Sequence, residues 1–141
     1  MATDIKAITI YGLPHALAAA AVAGELYTPI ILLSAPAAGS SAGPAWFQSV
    51  VTQAREEYPE SDIEAILDCA EFNGHALASL RQGLKTIIYN GTANEAVDDI
   101  AAQLNATVLR HRPESLDARL AETSARALVC AMRGRAYAVC Q

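Results

Sequence analysis

The sequence predicts an α/β fold built on a mostly parallel sheet, and three observations lead there. Apolar runs alternate with helical periodicity five times along the chain, the pattern of strands joined by helical crossovers rather than of a bundle or a sandwich. The stretch from Glu64 to Gly91 forms one complete strand, turn, helix, turn, strand unit. In such a unit the apolar run enters a buried parallel strand, and the polar residues after it lie at the carboxyl end, where α/β proteins place ligands. Finally, 141 residues with 52% hydrophobic and 18% charged content suit one domain, residues 1–141, with a core large enough to need no disulfides.

Strands are expected at Ala7–Tyr11, Ile30–Ser34, Ala65–Asp68, Thr86–Tyr89 and Thr107–Arg110. Helices are expected near Pro14–Leu26, Pro44–Tyr58, Gly74–Gln82 and Asn94–Leu104. Pro14 and Pro44 suit the first helical turn, where the missing amide hydrogen has no partner anyway, and Gly83 suits a helix stop. A last helix, about Leu116–Met132, would start after Ser115, whose hydroxyl can accept from the free amides of the first turn. Its apolar side would be Leu116, Leu120, Ala127 and Leu128. The tail from Gly134 to Gln141 fits either a short strand or an interface segment. The connection Ala35–Gly43, rich in small residues, is expected to be a mobile loop after a strand end.

A net charge of −5, with no run of Lys and Arg, argues against nucleic acid, because phosphate neutralisation needs clustered cations. Arg110-His111-Arg112 comes nearest, and it is expected to be a solvated strand end. Cys69, Cys130 and Cys140 are odd in number and form no C-x-x-C pair, so neither a disulfide framework nor a structural zinc site is indicated. A reducing cytoplasm is the expected setting. Asp4, Pro14, Glu25 and Pro29 interrupt the apolar N-terminal third, so no export signal or membrane span is expected.

If the strands are parallel, the residues just past them gather on one rim: Gly12 and His15, Ser34, Asp68 and Cys69, Asn90 and Thr92, and His111. A carboxylate, a thiol and imidazoles suffice for a general base or a borderline-soft metal ion. Each also has a plainer role. Asp68 can accept from the amides of the following turn, Cys69 can be a small buried group, and His75 can be a helix-start or packing residue. The Gly39–Gly43 run lacks the Gly-Lys-Ser/Thr ending of a P-loop, and no G-x-G-x-x-G occurs. Asp68 as a receiver-domain phosphoacceptor fails, because Tyr11-Gly12 stands where the acidic partners for magnesium belong.

Pro29-Ile-Ile-Leu-Leu33, the Ala42-Gly43-Pro44 helix entry, Tyr58-Pro59, Asp62-Ile63, Leu67-Asp68, and Gly83 with Ile87–Gly91 carry a resemblance. Over about residues 16–91 the chain resembles the first half of class II, metal-dependent fructose-bisphosphate aldolases. In that family the third strand ends in Asp-His-Gly, where Asp moves the substrate's proton and His binds zinc. Here the run is Asp68-Cys69-Ala70, so the resemblance implies a base at Asp68 and puts a thiol at the metal-ligand position, a substitution zinc accepts. Ala35 falls where the family has a substrate-contacting serine. The family's later metal ligands and phosphate loops have no counterpart. Eight βα units need about 250 residues, so the resemblance is to a half-barrel with a degenerate site.

The expected fold is therefore an open, five-stranded, mostly parallel sheet with helices on both faces, flavodoxin-like; the alternative is a half TIM barrel completed by oligomerisation. The expected function is binding of a small molecule, a phosphorylated metabolite being one class, without aldolase activity. Gly12, Ser34, Asp68, Asn90 and Thr92 would line the site, and Asp68 would be any catalytic residue. Asp68 should open on the pocket and Cys69 should pack behind it against a helix, since neighbouring strand residues face opposite ways. A metal-assisted lyase or isomerase is the second expectation, with Asp68 as base. An inert structural or partner-binding subunit is the third. No cofactor is expected; in the enzyme alternative zinc would sit on Cys69 with a histidine, His15 and His111 being the candidates. The partners expected are the small molecule and a second copy of the chain, with no nucleic acid and no membrane.

Overall fold

The computed structural model describes residues 7–119. Its strands follow the apolar runs: β1 (Ala7–Ile10) is buried at every position, and β2 (Ile30–Ser34) and β3 (Ile63–Asp68) end in buried triplets. Such continuous burial marks strands with protein on both faces. Further strands are β4 (Thr86–Ile88), β5 (Thr107–Leu109) and β6 (Ser115–Asp117). The helices are α1 (Leu13–Glu25), a short α2 (Ala38–Ser41), α3 (Pro44–Glu57), α4 (Asn73–Gln82) and α5 (Asn94–Gln103). Among the described residues the strands form one open parallel sheet in the order β5-β4-β3-β2-β1-β6. Strands β1 to β5 thus follow chain order, without the reversal of a 2-1-3-4-5 flavodoxin sheet, which is the succession of the half-barrel alternative.

The described chain gathers into two compact units, residues 7–33, 50–64 and 113–119, and residues 34–49 and 65–112. In the first, α1 starts with proline in its opening turn and buries Ala16, Ala19, Ala20 and Ala23. Spacings of three and four residues put these on one stripe, and the small side chains let the helix pack closely on β1. Ser61 Oγ donates to the Ala20 carbonyl at 2.5 Å, and Arg55 Nη2 donates to the Ile63 carbonyl at 2.8 Å.

β6 is a correction to the expected last helix. Ser115–Asp117 pairs in parallel with β1, with Leu116 opposite Ile8, and Thr9 Oγ1 lies 2.7 Å from Ser115 Oγ. Ser115 thus bonds across a strand pair instead of capping a helix, because the open side of β1 offers a full ladder that local helix propensity cannot match. The rest of the expected helix and the tail from Gly134 lie outside the described residues.

In the second unit β3 pairs with β4, Leu67 opposite Ile87 and Asp68 opposite Ile88, and β4 pairs with β5. The usual right-handed crossover, taken twice in one direction, brings α4 beside α5, and these helices pack on each other. Gly83 ends α4 at φ 106°, with its amide on the Leu80 carbonyl and the Leu84 amide on the Ser79 carbonyl. That left-handed cap is the stop expected of this glycine. Within the Ala35–Gly43 connection, expected as a loop, residues Ala38–Ser41 form α2.

No helix among the described residues is long and apolar enough to cross a membrane. Phe47 on α3 is fully buried. Phe47→Ala is expected to cost roughly 3–5 kcal/mol, the loss of a buried aromatic plus the cavity it leaves, read from the shift in urea midpoint; a change below about 1 kcal/mol would show that the site collapses around the smaller side chain.

Candidate functional site

Asp68 is the last residue of β3 and only 3% exposed. Its position follows from strand pairing: the Cys69 amide donates to the Ile88 carbonyl at 2.9 Å, after which Ala70 turns out of the strand with φ 51°. A carboxylate this deep needs its charge and lone pairs met by the protein, and two donors do so while a hydroxyl fixes its backbone. The Ala70 amide donates to Asp68 Oδ1 at 2.8 Å, closing a turn on its own side chain,. Arg112 Nη1 donates to Asp68 Oδ2 at 2.7 Å and to the Ser34 carbonyl at 3.1 Å. Ser34 Oγ accepts the Asp68 amide at 2.9 Å and donates to the Ala35 carbonyl.

Cys69 faces the other way. It is fully buried, with Sγ 3.4 Å from Ser79 Oγ on α4, and Ser79 in turn donates to the His75 carbonyl. Gly39 of α2 is pressed against it: a Cβ on Gly39 would stand 2.8 Å from Cys69 Sγ and 3.2 Å from the Asp68 carbonyl oxygen. Burial pushes the thiol pKa up, the Asp68 charge adds to this, and the Ser79 contact offsets only part. The protonated thiol is a weak metal ligand and a poor nucleophile, the packing role expected of it. Among the described residues no three of His, Cys, Asp or Glu gather where they could hold a metal ion.

The structure brings Ser34 and Asp68 into direct contact and ties Asn90 to them through Ala70, whose carbonyl accepts the Asn90 amide at 2.9 Å. The Asn90 and Thr92 side chains are exposed at the end of β4. His111 is exposed as well, between two partly exposed arginines that each pair with a carboxylate. Arg110 Nη2 reaches both carboxylate oxygens of Asp98 at 2.6 and 2.7 Å, and Nη1 reaches the Tyr89 carbonyl. Arg110 and Arg112 are therefore anchors. Arg112 is the residue sequence reasoning missed; the signal available was that a carboxylate ending a buried strand requires a cation, and few exist in a chain this poor in Lys and Arg.

Gly12 and His15 belong to the first unit. Gly12 is the extended residue before α1, and His15 Nδ1 accepts the Tyr11 amide at 3.1 Å. Beside them Tyr11 donates its phenol to Asp117 Oδ2 at 2.7 Å, the Arg119 amide donates to Asp117 Oδ1, and the Arg119 guanidinium lies 3.8 Å over the Tyr11 ring. Burial alone would raise the Asp117 carboxyl pKa, but Tyr11 and Arg119 outweigh it and hold the carboxyl below its usual value. Burial, and then Asp117, push the Tyr11 phenol up. A recess of about 180 Å³ lies in the same unit at the amino ends of β2 and β3, lined by Pro29, Ile30, Ile31, Asp62 and Glu64.

No protein-family model matches this sequence, and no curated protein matches it. Solved structures do. A protein from Coccidioides immitis whose crystal structure is provisionally described as a fructose-1,6-bisphosphate aldolase is similar over 74% of this chain and 39% of its own, at 18% identity and a TM-score of 0.59. This chain thus spans well under half of that protein, and what the two share at this identity is the fold.

Two outcomes follow from these surroundings. Cys69 is expected to resist iodoacetamide at neutral pH in the native protein and to react once the chain is unfolded, as read by peptide mass mapping; native labelling would place the thiol at an accessible site. Asp117, ionised more readily folded than unfolded, contributes stability that is complete above about pH 4 and is lost as the pH falls through its lowered folded value. Asp117→Asn should therefore flatten the acid limb of a stability-versus-pH curve and leave the neutral region's slope unchanged.

Proposed function

We propose that this chain binds a small anionic metabolite, of the phosphorylated class, at the carboxyl ends of β2, β3 and β4, and that it does so without aldolase activity. The observation that carries this reading is the state of Asp68. Its two oxygens are committed to Arg112 and to the Ala70 amide, and the neighbouring position holds a buried thiol, so a free base beside a metal ligand is not assembled. The same arrangement brings a guanidinium with 27% of its side chain exposed to the strand ends, a planar fork suited to oxyanions. Asn90 and Thr92, exposed after β4, supply polar groups for the rest of a hydroxylated ligand,. The likeness to an aldolase-described structure supports common descent, and Ala35 and Cys69 stand where the family's catalytic pattern would need Ser and His.

The expected outcome is no cleavage of fructose 1,6-bisphosphate above background, together with a saturable rise in melting temperature with phosphorylated sugars and none with the parent sugars. Turnover abolished by Asp68→Asn would establish an enzyme instead. Equal melting temperatures with and without every phosphorylated sugar would leave an inert subunit as the reading.

A further inference from the structure

We infer that the Asp68 carboxylate occupies, within the chain, the place at Arg112 that the ligand's oxyanion takes when it binds, so that the ion pair is a self-inhibiting contact. The inference rests on the anion-binding reading above and adds how that site is regulated. Arg112 lies in the 110–114 connection, outside any strand or helix. Its Nη1 reaches both the Ser34 carbonyl and Asp68 Oδ2, so movement of one guanidinium nitrogen releases both. The two partners are unequally buried: the Asp68 side chain is 5% exposed and that of Arg112 27%. Anything arriving from solvent therefore meets the guanidinium before the carboxylate.

Asp68 does not depend on Arg112 for its place. Its backbone is held by Ser34 Oγ and by strand pairing, and Oδ1 by the Ala70 amide. The end of β3 thus has ties beyond Arg112, while the carboxylate's charge still needs a partner whenever the guanidinium turns outward,. A buried ion pair is weak evidence for stability, because desolvation offsets much of the attraction; its better attested use is as an element with two arrangements. In one, Arg112 is paired inward with Asp68. In the other, the ligand's oxyanion takes the guanidinium while a hydroxyl of the same ligand donates to the carboxylate, which keeps a hydrogen-bond donor in place of the lost ion pair. A phosphate monoester of a small polyol has both groups. Inorganic phosphate lacks the carbon-borne hydroxyl, and glycerol lacks the oxyanion.

The test is calorimetric titration of the whole chain with glycerol 3-phosphate, using inorganic phosphate and glycerol as controls. Asp68→Asn keeps the Oδ1 acceptor for Ala70 and removes the competing charge. It is expected to bind inorganic phosphate at least about tenfold more tightly than the parent protein, because removing the competing charge raises the fraction of chains whose guanidinium is open to the ligand. The same variant should prefer glycerol 3-phosphate over inorganic phosphate less than the parent does. Combining Arg112→Gln with Asp68→Asn in one protein should abolish the gain. On the unaltered protein, the Arg112 Nε–H resonance should shift saturably with glycerol 3-phosphate, a readout that does not depend on a variant folding. Ligand binding that leaves this resonance unmoved, or an Asp68→Asn protein that binds phosphate no better, overturns the inference and leaves the binding reading standing. An unaltered protein that binds no phosphorylated compound overturns both.

Discussion

A negative charge at the end of a central parallel strand is the constraint around which the second unit is arranged. Asp68 is too deep for water to solvate it, so the fold must bring donors and a counter-charge from elsewhere in the chain. Three segments take part: the hydroxyl at the end of β2 holds the Asp68 amide, the turn after β3 folds its amide back on the carboxylate, and the connection after β5 supplies the guanidinium. Each of these segments is itself pinned by that contact. The path of residues 110–114 is fixed from both sides, by Arg110 on Asp98 and by Arg112 on Asp68. An electrostatic requirement at one residue thereby decides the course of a loop more than forty positions away in sequence.

Most of the framework could be read from the residues because it obeys short-range rules. The apolar runs, Pro14 at a helix start and Gly83 at a helix end act within a few positions, and the strands and helices fall where those signals put them. The failures are of another kind. Ser115 and Leu116 carry a credible helix start, and only the presence of β1 alongside turns them into a strand. Arg110 and Arg112 look like surface charge because their partners, Asp98 and Asp68, are set by the fold and not by spacing. The alternation of side chains along a strand did show that Asp68 and Cys69 face opposite ways, since that follows from backbone geometry alone.

The two units meet their polar groups differently. Around Asp68 a guanidinium, an amide and a hydroxyl converge on one buried residue. Around Tyr11 the charged partner is largely outside: Arg119 has 60% of its side chain exposed and covers the phenol ring, while Asp117 takes the hydroxyl. In the first arrangement Coulomb attraction works in a poorly screened setting, so loss of either partner leaves a stranded charge. In the second, solvent and salt screen the attraction, and the aromatic contact and the turn at Asp117 hold the geometry.

The closeness of Gly39 to Cys69 has a consequence for what this chain can become. With the backbone of α2 lying on the sulfur, position 69 has no room to grow, and an imidazole there would collide with the helix instead of pointing to the strand ends. Installing a metal centre at this strand end would mean re-routing residues 37–43 along with the ligand itself. Two positions thirty apart in sequence thus share one steric allowance, and single substitutions, whether by mutation in nature or by design, meet a wall that only a joint change can cross.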